Sequence, residues 1–276
     1  GLSHGCVQAI LQDYLGFMWF ATEDGLNKYD GYTFSTYRHN PFDSTSLSSN
    51  HLSWIYEDPE RNLWISTIGG GLNKYNRNQD NFISFKPNRD NPESIITDVM
   101  QQTVAFNYDG KTVLWIGTQF GLCKMDIATQ KFKYYQHTNK GFPSSYIETM
   151  VVDSSGIVWI GSDGLQRFDP RREQFTYYVH DPENPFSLSD DNVVSLSLDR
   201  SGNLWVGTVS GGLNKLDPKT EKFTRYLHDP KNPYSLSENF IVTINEDPVG
   251  NLWIGTAVSG LNRFDRKTGR FIHYIH

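Results

Sequence analysis

Cysteine is almost missing from this chain: of 276 residues only Cys6 and Cys123 carry thiols. Two thiols with no C-x-x-C spacing exclude a disulfide framework and a zinc signature. They fall at different positions of the repeat described below, two units apart. Bridged Cα atoms must lie within about 7 Å, so both are expected to be free. Positive charge is also short: 25 Lys and Arg face 31 Asp and Glu, a formal net charge of −6. That balance argues against direct nucleic-acid binding, which requires clustered cations to displace counterions from phosphates. No apolar run approaches the roughly 18–20 residues that cross a bilayer. No basic and apolar leader begins at Gly1, and a piece of a secreted protein has the same appearance. No segment sustains a helical period.

Aromatics are abundant. The chain holds 17 Phe, 15 Tyr and 7 Trp, with 23 Gly and 12 Pro, a mixture that favours many short strands and tight turns. Six of the seven tryptophans recur in one motif: Trp19, Trp64, Trp115, Trp159, Trp205 and Trp253, spaced by 45, 51, 44, 46 and 48 residues. Six residues before each stands an aspartate: Asp13, Asp58, Asp109, Asp153, Asp199 and Asp247. A small residue follows at +2, a Thr or Ser at +3, then a Gly-Leu pair. A base comes two residues past that Leu, and an aromatic pair three apart closes each unit. Self-similarity at this period is the mark of a repeat architecture.

Each unit divides into four short extended runs, a to d. In the fifth, Val193–Leu198 alternates, Asp199–Asn203 is a tight turn, and Leu204–Thr208 is strand b. Gly211-Gly212 turns the chain into Leu213–Leu216, and Phe223–Tyr226 is strand d. Four antiparallel strands per unit, repeated six times, predict an all-β fold, a β-propeller of four-stranded antiparallel blades. A solenoid is the alternative at this period, but its repeats carry one strand or a helix pair. Blades are expected at 1–38, 46–86, 94–136, 144–179, 187–227 and 235–275. Each Trp on strand b is expected to fill the wedge between neighbouring blades, and Gly161, Gly207 and Gly255 to admit a close neighbour. Unit three is longer before Asp109, and Lys111-Thr112 replaces the turn Gly, so a longer a–b hairpin is expected there.

The motif D-x-x-G-N-L-W-[IV]-G-T, then G-G-L-N-[KR]-[YFL]-D, then F-x-x-Y resembles the two-component regulator propeller repeat, in near-ideal form at Asp199–Tyr226 and Asp247–Tyr274. Gly1-Leu2-Ser3, Gln12-Asp13, Phe17–Phe20 and Asp24–Gly31 resemble the first repeat of such sensors. The resemblance implies the periplasmic sensory part of a Bacteroidetes hybrid two-component histidine kinase. It implies an oligosaccharide as ligand and regulation of polysaccharide use. The rest of the sensor kinase is then a partner, and the membrane is met only through a helix outside this chain. Propellers of the family commonly have seven blades, so this chain is expected to be part of a longer protein, as a portion of a seven-bladed or double propeller. An open end exposes a sheet edge and a blade face, hence a homodimer is expected.

Most recurring polar residues read as architecture. His39, His137, His180, His228 and His276 fall two residues after the strand-d aromatic, at a rim position. The aspartates before each Trp suit an Asx-type turn between strands a and b. The strand-c bases suit a solvated or ion-paired blade edge. No G-x-S-x-G or H-E-x-x-H occurs, and no catalytic residue, metal site or cofactor is expected. With strand a innermost, the d–a and b–c loops share one face, and the places where units disagree mark a ligand site. Sugar hydroxyls call for carboxylates and amides, and the apolar face of a sugar ring calls for an aromatic platform. The candidates are Asp24, His51, Phe120, Tyr146, Asp163, Asp191, Asn192, Asn239 and Phe240. His4 shares the place of His51 before a strand a. Two other roles stay open: a protein-interaction scaffold without a small ligand, and a polysaccharide lyase or hydrolase on the same fold.

Overall fold

The structure is a computed structural model that describes residues 1–135 and 146–274. All regular structure among them is β, arranged as six four-stranded antiparallel sheets in meander order. Blade one holds β1 (Val7–Gln12), β2 (Met18–Thr22), β3 (Gly25–Tyr29) and β4 (Phe34–Tyr37). Blade two holds β5 (Leu52–Glu57), β6 (Leu63–Thr67), β7 (Leu72–Asn76) and β8 (Asn81–Phe85). Blade three holds β9 (Met100–Tyr108), β10 (Lys111–Thr118), β11 (Gly121–Asp126) and β12 (Phe132–Tyr135). Blade four holds β13 (Thr149–Val152), β14 (Val158–Ser162), β15 (Gly164–Asp169) and β16 (Gln174–Tyr178). Blade five holds β17 (Val193–Leu198), β18 (Leu204–Thr208), β19 (Leu213–Asp217) and β20 (Lys222–Tyr226). Blade six holds β21 (Ile241–Glu246), β22 (Leu252–Thr256), β23 (Leu261–Asp265) and β24 (Arg270–Tyr274). The chain is an all-β propeller of six blades, and β1–β12 and β13–β24 form two compact units of three blades each.

Tryptophan makes the wedge inside each unit. Trp19 packs with Leu52, Ile55 and Leu63 of the next blade, and Trp64 with Met100 and Leu114. Trp159 meets Val193 and Leu196, and Trp205 meets Ile241 and Ile244. A buried indole withdraws roughly 200 Å² from water, about 5 kcal/mol on a simple area scale, so these wedges outweigh any single hydrogen bond. The glycine beside Trp159 and the one beside Trp205 are required by the neighbouring blade. A Cβ on Gly207 would stand 2.6 Å from Ile241 Cγ2, and one on Gly161 2.6 Å from Val193 Cγ1.

The aspartate before each Trp does two things at once. In Asp199, Oδ1 accepts the backbone N–H groups of Ser201 (3.0 Å) and Asn203 (2.9 Å), while Oδ2 accepts the indole N–H of Trp205 (2.9 Å). Asp13, Asp58, Asp153 and Asp247 hold Trp19, Trp64, Trp159 and Trp253 in the same way. Asp109 does not, which corrects its assignment to the same role. Its hairpin is longer, as expected, but the turn is Asp109-Gly110, with φ of 51° and 85°. The Gly is therefore kept, one residue ahead of Lys111. Both turn residues lie in the left-handed region that a two-residue hairpin requires, and Tyr108 accepts the Trp115 indole N–H instead, at 3.2 Å.

Two blade seams carry an added ionic clasp. Arg77 Nη1 meets Asp13 at 2.7 Å and Nη2 meets Glu57 at 2.9 Å. Arg266 repeats this on Asp199 (2.6 Å) and Glu246 (2.9 Å). The strand-c lysines are neither simply solvated nor ion-paired. Lys28, Lys74, Lys124 and Lys215 sit over the indoles of their own blades at 5.4–5.8 Å from the ring centroids, within cation–π range.

The connections between blades are built rather than loose. His39, His180 and His228 bond through Nδ1 to the carbonyls of Leu47, Leu188 and Leu236. This fixes the loop and accounts for their recurrence; His137 and His276 lie outside the described residues. Buried Asn73 then accepts Ser48 N–H (3.1 Å) and donates to Ser48 Oγ (2.7 Å). Asn27, Asn214 and Asn262 grip Ser3, Ser189 and Ser237 likewise. The loop carbonyls of Thr45, Glu93, Phe186 and Tyr234 accept the N–H of Phe82, Phe132, Phe223 and Phe271. Each loop thereby occupies part of an outer strand edge that would otherwise invite pairing. Cys6 and Cys123 are free, the first exposed and the second buried.

Candidate functional site

Within each unit the b–c turn of one blade is bonded to the start of strand a, in its own blade or the next. Ile68 N–H reaches His51 O at 2.9 Å, and Gly25 N–H reaches Asn50 O at 2.8 Å. Gly212 N–H reaches Asn239 O at 3.1 Å, and Ala257 N–H reaches Phe240 O at 3.1 Å. The two loop families therefore do share a face in each unit, and the candidates distribute over those two faces.

On the first unit, Asp24 is engaged by Arg38, whose Nη2 lies 2.9 Å from Oδ2. That hydrogen bond, with the charge behind it, holds the Asp24 carboxyl below the usual carboxylate range. His51 is exposed, with its N–H on Ser49 Oγ at 3.2 Å. His4 Nδ1 accepts Cys6 N–H at 3.1 Å. Phe120 and Tyr146 flank one strand end, because Ile147 N–H bonds Thr118 O at 3.2 Å and Phe120 N–H bonds Thr118 Oγ1. Both rings present 40–49% of their surface to solvent. Gln101 Nε2 donates to the Tyr146 hydroxyl at 2.5 Å, which sets the ring's direction.

On the second unit the structure brings Asp163, Asp191 and Asn192 together. Asp163 and Asn192 form an isolated antiparallel bridge, and Gly164 N–H bonds Asp191 O. Asp191 and Asn239 each place Oδ1 on the backbone N–H of a loop histidine, His180 at 2.6 Å and His228 at 2.7 Å. Asn50 does the same for His39, so this Asx is a repeat position and its Oδ1 is committed to the backbone. Asn192 remains exposed beside Asp190. Phe240 is 38% exposed, next to Val258 at 86%.

Two acidic residues that sequence reasoning did not single out stand in the same place. Asp190 Oδ2 accepts both Ser210 N–H and Ser210 Oγ at 2.8 Å. Burial pushes its carboxyl up, but these bonds outweigh burial and hold it low. Glu148 is pushed the other way, first by burial and then by the charge of Asp163. In the S-L-S-x-[DN] run shared by the loops Asp190 falls at the variable x, so the pattern did not mark it; nothing in the sequence placed Glu148 beside Asp163. Such a set can accept hydrogen bonds from hydroxyls and stack an apolar ring face. Among the described residues no three His, Cys, Asp or Glu side chains converge on one point for a metal ion.

The two-component regulator propeller family model matches residues 1–24, 46–69, 141–164, 187–210 and 235–257. These are the a–b hairpin regions of all blades but the third, whose turn is altered. A solved extracellular domain of a hybrid two-component system from B. thetaiotaomicron superposes over 100% of this chain and 36% of its own, at 33% identity and a TM-score of 0.84. The extracellular domain of a one-component system from the same organism matches over 99% and 37%, at 25% identity and a TM-score of 0.78. The virginiamycin B lyase of Staphylococcus aureus matches over 99% and 86% at 12% identity with a TM-score of 0.71, a likeness of fold alone. Histidine kinase P4 of Formosa agariphila is 58% identical over 48 residues, 17% of this chain and 4% of that protein. The chain thus spans about a third of the two bacterial sensor domains it matches. Five of its six repeats belong to the two-component regulator propeller family.

Proposed function

We propose that this propeller is the ligand-sensing, extracytoplasmic part of a hybrid two-component histidine kinase, that it binds an oligosaccharide on the b–c and d–a loop faces, and that occupancy regulates polysaccharide use. The observation that carries the reading is the likeness, over this whole chain and 36% of the other, to a hybrid-system extracellular domain at 33% identity. Three exposed rings support it, Phe120, Tyr146 and Phe240, as do the carboxylates and amides beside them. Asp191 acts here through Oδ2 and Asn239 through Nδ2, which donates, since each Oδ1 is already bonded within the protein; Asp24 acts only through the lone pairs that Arg38 leaves, because Arg38 meets both of its oxygens. Signalling requires that ligand favour one arrangement over another, and a homodimer in a periplasmic setting is part of the proposal.

Titration calorimetry against a panel of plant and algal oligosaccharides tests it. Binding is expected with at least one glycan class, and Tyr146→Ala or Phe240→Ala is expected to weaken it about tenfold, the scale of one aromatic platform. Absence of binding to every glycan, with capture of a defined protein, would establish a scaffold instead; glycan cleavage would establish a lyase or hydrolase.

A further inference from the structure

The loop that leads into a blade leaves a carbonyl exposed over strand d, and three blades fill that place themselves. In blade five Arg225 reaches under the loop. Its Nε donates to Ser187 O (2.9 Å), and its Nη2 donates to Asn184 O (3.0 Å), Ser187 Oγ (2.8 Å) and Leu188 O (3.1 Å). In blade six His273 Nε2 bonds the equivalent carbonyl, Ser235 O, at 2.7 Å. In blade three the Tyr134 hydroxyl faces Ser94 O at 3.5 Å. The pairing registers make the positions equivalent: Arg225 opposes Asn214, His273 opposes Asn262, and Tyr134 opposes Cys123.

Blade two departs. Ser84 opposes Asn73 at this position, and a serine is too short to reach the loop. The loop itself is unchanged: Asp43 N–H bonds Asn40 O and Ser46 N–H bonds Asp43 O, as Asn184 bonds Asp181 and Ser187 bonds Asn184. What remains is a hollow of about 350 Å³ lined by Asn40, Phe42, Asp43, Ser46, Ser84 and Lys86, among others. Its walls hold the counterparts of the acceptors that Arg225 satisfies. Phe42 is 98% exposed there, and Lys86 makes no ion pair among the described residues.

We infer that the hollow over Ser84 binds a guanidinium group carried together with a carboxylate, in the manner of a free or C-terminal arginine. The planar fork of a guanidinium matches several carbonyl acceptors at once, and its face stacks on an exposed aromatic ring such as Phe42. Lys86 supplies the counter-charge for the carboxylate. The ligand enters where repeat five inserts a side chain of its own.

Titration calorimetry with N-acetyl-arginine and with a tetrapeptide ending in arginine tests this, against the lysine counterparts. Saturable binding of the arginine compounds is expected. It should weaken about tenfold in Ser84→Arg, where the chain fills its own hollow, and in Lys86→Ala, where the carboxylate loses its partner. A tetrapeptide that binds as well as N-acetyl-arginine assigns the source to a polypeptide end; binding of N-acetyl-arginine alone assigns it to a free guanidino acid. Ser84→Arg is itself expected to fold and to raise Tm, since blade five has this arrangement. Equal binding of lysine compounds, undiminished binding by Ser84→Arg, no arginine binding at all, or a lowered Tm in Ser84→Arg would each overturn the assignment.

Discussion

At the residue scale, one carboxylate in five of the six blades joins turn and indole, and Asp13 and Asp199 add the guanidinium of a neighbouring blade. Burial pushes the Asp199 carboxyl up, but Arg266, the Trp205 indole and Asn203 outweigh it and hold it at about 2. A carboxylate held below its unfolded value of about 3.9 stabilises the fold fully above that value. The contribution is lost as pH falls from about 4 through 2, and amounts to about 2 kcal/mol. Asp199→Ala is expected to cost about 2–3 kcal/mol in urea unfolding, because it orphans a buried indole N–H and leaves Arg266 with Glu246 alone, and to flatten the stability profile between those pH values. Asp109→Asn, in contrast, is expected to stay within about 0.5 kcal/mol, since Asp109 holds no indole and Asn tolerates its positive φ. Equal losses in both variants would show that the six aspartates act alike after all. The two thiols differ as sharply. Burial pushes Cys123 up to about 12, while Cys6 is exposed. A thiol reagent is expected to modify one group in native protein and the second only after denaturation.

At the element scale, the strands were readable and the exceptions were not. The unit-five reading placed Val193–Leu198 and Leu204–Thr208, and the structure has both strands at those limits. It missed only Asp217 and Lys222 at the ends of the next two, where alternation stops carrying information. Period-two patterning bounded by Gly and Asp turns is a local signal, so one unit sufficed. The Asp109 role failed because spacing to Trp115 was kept while the turn chemistry changed to Asp-Gly. The Asn–Ser grip went unread because its partners are separated by 24 or 25 residues and neither alone is unusual. The loop-face candidates were legible as variable positions, but the fact that Asp191 and Asn239 already serve a histidine N–H depends on a fold of the loop. Gly207→Ala tests the close seam between β18 and β21. Its φ is ordinary, so the cost of about 1–3 kcal/mol expected from overpacking is steric alone. A neutral result would mean that Ile241 can retreat.

At the scale of the whole molecule, the recurring indole is not equally covered in every blade. Trp253 is only half-buried, while Trp19, Trp64 and Trp205 are at 1% or less. Leu261 and Tyr274 are exposed at 38% and 47%, and a Cβ at Gly255 would meet only Thr243 of its own blade. Acrylamide is expected to quench a distinct share of the tryptophan emission, and Trp253→Phe to remove most of that share. Emission that is uniformly protected in the unsubstituted protein would mean that the indole is covered in solution. Sequence repetition gave every Trp the same place; the exposure of the last one is a property of its surroundings.

One arginine clasp marks a single seam in each unit. Arg77 ties the first blade to the second, and Arg266 ties the sixth to the fifth. Asp58 and Asp153, at the seams of blades two–three and four–five, face Ile127 and Pro218 at the matching positions of the sequence and have no guanidinium. Each cation acts as a selvedge on its own seam, so Arg77→Met and Arg266→Met are expected to speed amide exchange along those two seams while the unclasped seams keep their rates.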